Sequence, residues 1–169
     1  MRISQKVWLR LLLGGVVLIG LVWGYLAVSE QQRKHFEGAV PAALELTDAV
    51  FIHEEITSCG VAVFHLADAT VASINAGGKS FLEGATKARV PHEYPGEWYS
   101  TYQDWKPTPV PETWSSEGTW ILCFYDHEVV RKITAAGKTR GSYYTSNSGG
   151  RAKLILVPSL GLIAYSFFD

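Results

Sequence analysis

The feature that most constrains this chain is an uncharged apolar run near its start. Residues 11–28, LLLGGVVLIGLVWGYLAV, are eighteen positions without Asp, Glu, Lys or Arg. As a helix this run spans about 27 Å, close to the ~30 Å hydrocarbon core of a bilayer. Trp8 lies at one end and Trp23 and Tyr25 towards the other, where amphipathic rings favour the membrane interface. The run therefore predicts a single transmembrane helix.

Basic residues flank the apolar run unevenly. Three precede it and two follow it: Arg2, Lys6, Arg10, Arg33 and Lys34. This bias predicts that residues 1–10 are cytoplasmic, and that the body of the chain lies in the periplasm or the extracellular space of a bacterial envelope. The predicted location is the inner (cytoplasmic) membrane, crossed once. The alternative is a cleaved signal peptide, because residues 27–29, Ala-Val-Ser, fit a small-x-small cleavage site. The run is longer than most signal cores, which favours an uncleaved signal anchor.

The exported part has an acidic balance and contains both cysteines. Residues 36–169 carry ten Lys and Arg against fifteen Asp and Glu, a formal net charge of −5. Nucleic-acid binders show a basic excess, so no nucleic-acid partner is predicted. In an oxidising compartment an even cysteine count favours a disulfide bond between Cys59 and Cys123. Two buried free thiols are the alternative.

The patterning downstream of the run predicts a short stalk over residues 29–40 and one globular domain over 41–169. Periodicity and punctuation predict helices over 42–56, after Asp68 and after Asp126, and strands over 60–66, 119–125, 142–146, 151–157 and 162–168. Gly77 and Gly78 indicate either a helix break or a close backbone contact. The last strands are apolar at consecutive positions, so both faces of the sheet are expected to be covered. The predicted class is α+β, with helices packed on a mainly antiparallel sheet.

Residues 89–118 form a segment rich in proline and aromatic residues. It contains five prolines, which prevent a regular pattern of strand hydrogen bonds. It also contains six Tyr and Trp residues, a residue class in which disordered segments are poor. Flat rings with a polar edge suit sugars, peptides and protein partners. The ligand-binding candidates are Trp98, Tyr102, Trp105 and Trp114. The alternative is that these rings pack against the sheet as part of the core.

Catalytic motifs are incomplete throughout the sequence. The phosphate-loop pattern ending at residues 78–80 has Ser73 in place of its first glycine, and the zinc-helix pattern at 53–57 ends in Thr57 instead of histidine. A weak catalytic set lies near strand ends: His65, Asp68, Asp126 and His127. The two histidines and a carboxylate also offer a metal site, although strand-end histidines are more often structural. No metal ion and no cofactor are predicted.

Three functions are consistent with these features. The favoured one is a non-enzymatic, membrane-anchored binding or accessory domain that engages an envelope protein or a cell-wall glycan through the aromatic segment. The second is an envelope hydrolase that uses the histidine and aspartate set. The third is a subunit of a membrane protein assembly, because Gly20 and Gly24 have the spacing of a small-xxx-small helix contact.

Overall fold

The computed structural model describes residues 5–55, 59–90, 101–116 and 127–168. The chain divides into two compact units, Met1–His35 and Phe36–Asp169. Helix α1 extends over Gln5–Ala39. Its part Gly14–Ala39 is long and apolar enough to be a candidate membrane span, and none of its apolar window is buried. The predicted apolar N-terminal helix is therefore confirmed as a helix.

The first unit changes character along α1. Large apolar side chains are exposed at every position where they occur between residues 16 and 28, including Trp23 at 71%. The following two turns are polar, and Arg33 and Lys34 both pair with Glu30, at 2.9 and 3.5 Å. These i,i+3 and i,i+4 ion pairs support the helix beyond the apolar run.

The described strands of the second unit form one antiparallel sheet of six strands, in the order β1-β2-β6-β5-β4-β3. The strands are β1 (Leu46–Glu55), β2 (Cys59–Leu66), β3 (Lys106–Pro107), β4 (Tyr143–Ser146), β5 (Ala152–Val157) and β6 (Leu162–Phe168). The helices are α2 (Asp68–Gly77), α3 (Lys79–Leu82), α4 (Glu112–Ser116) and α5 (Glu128–Gly137). The predicted α+β class with a mainly antiparallel sheet is confirmed. The predicted strand over 119–125 lies outside the described residues.

Both faces of the sheet are buried, as the consecutive apolar positions predicted. Neighbouring residues of β2 belong to different cores: Phe64 packs on the side here called face A, and Val63 on the opposite side, face B. Face A is covered by the last turn of α1, the residues that follow it, and helices α2 and α3. The covering side chains are Phe36, Val40, Leu44, Ile74 and Leu82. Face B is covered by α4 and α5, through Trp114, Val129 and Ile133. The second unit thus has three layers.

The prediction of a helix over residues 42–56 is wrong, because most of this segment is strand β1. Two register shifts in the pairing of β1 with β2, on either side of Ala49, disturb the alternation of inward and outward side chains. Around these shifts, apolar residues are adjacent or three positions apart in the sequence. This spacing resembles that of the apolar face of an amphipathic helix. Regular pairing with β2 begins only at Phe51.

The predicted interruption at Gly77 and Gly78 is a helix break between α2 and α3. Gly78 has a φ of 54°, a conformation that side chains with a Cβ rarely adopt. A Cβ at this position would also lie 3.3 Å from the hydroxyl of Tyr143. Glycine at position 78 therefore allows the helix to break and allows the Tyr143 hydroxyl to lie close to the backbone.

The core of the second unit begins earlier than expected, within residues 29–40, which the sequence predicted to be a stalk. Phe36 is 0% exposed, and its ring centroid lies 6.1 Å from that of Tyr165 and 6.0 Å from that of Phe167. Val40 is also fully buried in the face A core. Residues 36–40 are thus part of the folded unit rather than part of a polar linker.

Candidate functional site

Residues 101–107 of the aromatic segment lie beside β4. The N–H of Tyr102 donates to the carbonyl of Thr86, at 2.7 Å, and the N–H of Gln103 donates to the carbonyl of Ser146, at 2.9 Å. The Thr145 hydroxyl returns a hydrogen bond to the Gln103 carbonyl, at 2.7 Å. These bonds hold residues 101–105 at the edge of face A.

Tyr102 and Trp105 point their rings into the face A core. The Tyr102 hydroxyl donates to the carbonyl of Ala39, at 2.7 Å, and burial raises the pKa of this phenol well above its usual range. Trp105 is 1% exposed, and its indole N–H donates to the carbonyl of Ala85, at 2.8 Å. Both polar edges are satisfied by backbone groups, as expected for buried aromatic residues.

Trp114 packs on face B. It is 8% exposed and makes an edge contact with Tyr144, at a centroid separation of 5.0 Å. The ammonium group of Lys153 lies 5.0 Å from the Trp114 ring centroid, within the range of a cation–π interaction. Burial raises the pKa of the Tyr144 phenol.

The described rings Tyr102, Trp105 and Trp114 therefore pack in the core, which was the alternative to ligand binding that the sequence left open. Tyr102, Trp105 and Trp114 present almost no surface to a ligand. Trp98 lies outside the described residues. Ligand binding by the segment stays a prediction, and it no longer has support from the three buried rings.

The histidine and aspartate set is spread over separate elements. His65 is exposed on β2 opposite Leu162, and Asp68 is exposed as the first residue of α2. Asp126 lies outside the described residues. Within the described ranges, no group of three or more His, Cys, Asp or Glu side chains is placed to hold a metal ion. The hydrolase hypothesis stays a prediction.

His127 has a structural role at the start of α5. Its Nδ1 accepts a hydrogen bond from the N–H of Val129, at 3.3 Å, so the imidazole acts as the N-cap. Its ring stacks on Phe51 at a centroid separation of 4.5 Å. One turn on, the Lys132 ammonium donates to Glu128, at 2.7 Å, and this hydrogen bond lowers the pKa of the Glu128 carboxyl.

His127→Ala is expected to lower the free energy of unfolding by about 1 kcal/mol, because the N–H of Val129 loses its acceptor. His127→Asn keeps an acceptor while removing the ring, so a smaller loss is expected from it. Urea unfolding of both variants measures the difference. His65→Ala is the matched control, since an exposed histidine outside a cap is expected to matter by less than about 0.5 kcal/mol. Equal losses for His127→Ala and His127→Asn would contradict the capping role.

Two buried polar residues on face B were missed by sequence reasoning. Lys153 and Ser166 are direct partners across β5 and β6, and both are buried, Ser166 to 1% exposure. Among the described residues, none forms a hydrogen bond with the Ser166 hydroxyl. The signal available in the sequence was a lysine within the apolar run 152–157.

Cys59 lies at the start of β2 on face B. It is buried against Val61 and is not a free thiol. Cys123 lies outside the described residues. The predicted pairing of these two cysteines is therefore taken up below as a proposal.

Comparison of this chain with protein-family models, with curated proteins and with solved structures found no match. The proposals below therefore rest on the physical chemistry of the described residues.

Proposed function

We propose that this protein is a membrane-anchored, non-enzymatic binding or accessory domain of a bacterial cell envelope. Helix α1 crosses the inner membrane once, and the unit that begins at Phe36 lies outside the cytoplasm. The observation that carries the proposal is the exposure of every large apolar side chain described between residues 16 and 28.

The energetic reason is the cost of keeping such a surface in water. Burying one Leu, Ile or Val side chain is worth about 1.5–3 kcal/mol, and this helix exposes eight of them: Val16, Val17, Leu18, Ile19, Leu21, Val22, Leu26 and Val28. A helix that is apolar on all sides is stable only in an apolar environment. The length of the run matches the thickness of the hydrocarbon core of a bilayer. Exposed Trp23 and Tyr25 suit the interface at its outer end.

The envelope setting also accounts for the cysteines. We propose that Cys59 and Cys123 form a disulfide bond, supported by the burial of Cys59 and by the fact that its thiol is not free. The chain has only these two cysteines. Such a bond persists in oxidising compartments outside the cytoplasm.

A double substitution in the middle of the run tests the anchor. In the variant Val17→Arg/Ile19→Arg, two charges oppose insertion into hydrocarbon. We expect the fraction of chain that resists alkaline carbonate extraction of membranes to fall several-fold. Val17→Leu/Ile19→Leu, which keeps the run apolar, is the matched control and is expected to remain in the pellet. Carbonate-resistant membrane association of the arginine variant would contradict the proposal.

Reporter fusions to the C-terminus test the orientation. Alkaline phosphatase becomes enzymatically active only outside the cytoplasm. Its fusion is therefore expected to be active, and a β-galactosidase fusion is expected to be inactive. The opposite pair of activities would place the folded unit inside the cell.

The disulfide bond is tested by thiol labelling of the unfolded chain. Without reductant, the natural chain is expected to take up no maleimide–polyethylene glycol, and after reduction it is expected to take up two adducts. Cys59→Ser and Cys123→Ser should each show one adduct without reductant. Two adducts on the unreduced natural chain would show that the thiols are free.

A further inference from the structure

Cys59 and Phe51 belong to the same small apolar cluster on face B. The cluster consists of Cys59 and Val61 on β2, with Phe51 of β1 packed against them. In the sheet, Cys59 lies opposite Glu55, which is four residues along β1 from Phe51. With about 3.4 Å per residue along a strand and about 5 Å between paired Cα atoms, the backbones of Phe51 and Cys59 are roughly 14 Å apart.

The first turn of α5 is held against Phe51 by the side chain of His127. The two rings stack at a centroid separation of 4.5 Å, and the His127 Nδ1 accepts the hydrogen bond from the N–H of Val129. His127 is exposed. Because exposed single contacts open and close more readily than buried ones, these two contacts by themselves hold the turn only weakly.

The C-terminal end of α5 is held in a different way. The N–H of Val110 donates to the carbonyl of Gly137, at 2.9 Å. Gly137 is buried, and a Cβ at this position would lie 3.2 Å from the Cδ1 of Ile155. One turn earlier, Ile133 is 1% exposed in the face B core. Burial and a backbone hydrogen bond therefore fix this end of the helix.

The position of Cys123 in the sequence sets a limit on how far the start of α5 can move. Cys123 lies outside the described residues, four positions before His127. Four residues reach at most about 14 Å and bonded cysteines have Cα atoms about 6 Å apart, so a bond to Cys59 keeps His127 within about 20 Å of Cys59. That reach includes Phe51 and extends only a few ångströms beyond it. Counted instead from Trp114, which is buried on face B, the chain up to His127 reaches about 45 Å.

We propose that the disulfide bond makes the first turn of α5 a redox-sensitive part of the fold. The inference rests on the bond between Cys59 and Cys123 that is proposed above. One thiol of a dithiol reductant attacks a sulfur of this bond, and its second thiol completes the exchange, so that both cysteines become thiols and the reductant becomes a disulfide. The first turn of α5 then leaves β1 and uncovers the Phe51 ring, whereas the C-terminal end of α5 stays on face B.

The test measures amide hydrogen exchange in the full-length chain in detergent micelles, residue by residue by NMR, before and after reduction with dithiothreitol. Three amides with defined hydrogen-bond acceptors serve as probes. The amide of Val129 reports on the first turn of α5, that of Val110 on the C-terminal end of α5, and that of Gln103 on the edge of face A.

Reduction is expected to speed the exchange of the Val129 amide several-fold and to leave the Val110 and Gln103 amides unchanged. The matched control is the double variant Cys59→Ala/Cys123→Ala, in which the Val129 amide should exchange at the fast rate with and without dithiothreitol. An unchanged Val129 amide in the reduced natural chain would overturn the inference. Equal acceleration of all three amides would also overturn it, because the whole unit would then loosen.

Failure of the proposed disulfide bond has a separate signature. If the bond does not form, the unreduced natural chain takes up two maleimide adducts, and its Val129 amide already exchanges at the rate of the double variant. A covalent dimer on a non-reducing gel would show that the bond joins two copies of the chain, which would overturn the tether. An intact intramolecular bond with a Val129 amide that is insensitive to reduction would leave the disulfide proposal standing and reject the inference alone.

Discussion

Replacement of Trp105 by alanine is expected to lower the free energy of unfolding of the folded unit by about 3–5 kcal/mol. The side chain is 1% exposed, and its removal leaves a large cavity in the face A core. The substitution also leaves the buried carbonyl of Ala85 without the indole donor that now lies 2.8 Å away. The measurement is urea-dependent proteolysis of the full chain, which does not depend on tryptophan fluorescence.

Two further variants separate the causes of this loss. Trp105→Phe keeps most of the ring volume but not the N–H, so an intermediate loss is expected. Trp23→Ala removes a tryptophan that is 71% exposed in the first unit, and it should leave the stability of the folded unit unchanged. A Trp105→Ala protein with natural stability would return this ring to the list of ligand-binding candidates.

Gly60→Ala is expected to destabilise the folded unit by about 2–3 kcal/mol, because the new methyl group overpacks the core. A Cβ at this position would lie 2.8 Å from the Cζ of Phe167 and 2.9 Å from the Cζ of Phe36. Phe36 is fully buried, and Phe167 is partly buried against the same core, which limits how far either ring can move. The entropic benefit of replacing glycine by alanine is only about 0.4–1 kcal/mol, so the steric effect is expected to win.

The control for this prediction is Gly84→Ala. A Cβ there would meet nothing within 4 Å, and Gly84 has no positive φ, so a change near zero is expected. In the double variant Gly60→Ala/Phe36→Ala one of the two clashing rings is absent, and the combined loss should be smaller than the sum of the single losses. Strict additivity, or an unchanged stability of Gly60→Ala, would contradict the proposed packing.

The sequence predicted best the elements whose environment is uniform along their length. Strand β5 is buried at every position and β2 at all but His65, and strands covered on both faces carry near-continuous apolar residues. Strand β1 was misassigned because its two register shifts depend on its pairing with β2. Local periodicity contains no information about a bulge that the partner strand imposes.

The candidate site was less predictable for a similar reason. A tryptophan has the same chemistry in a core as on a binding surface, and Trp105 differs from an exposed ring only through the segment that carries it to face A. Likewise, His127 became a helix cap because α5 begins one residue later, at Glu128. Sequence proximity to a strand end therefore did not predict a shared cleft.

The sequence by itself determined the long apolar helix, the acidic balance of the rest of the chain and the α+β class, because these properties follow from composition and periodicity over many residues. Only the tertiary structure decided that the folded core begins at Phe36, that β1 is a strand, and that Tyr102, Trp105 and Trp114 are buried. Each of these outcomes depends on contacts between residues far apart in the chain. Such contacts arise when the two faces of the sheet are covered, and no local window of sequence contains them.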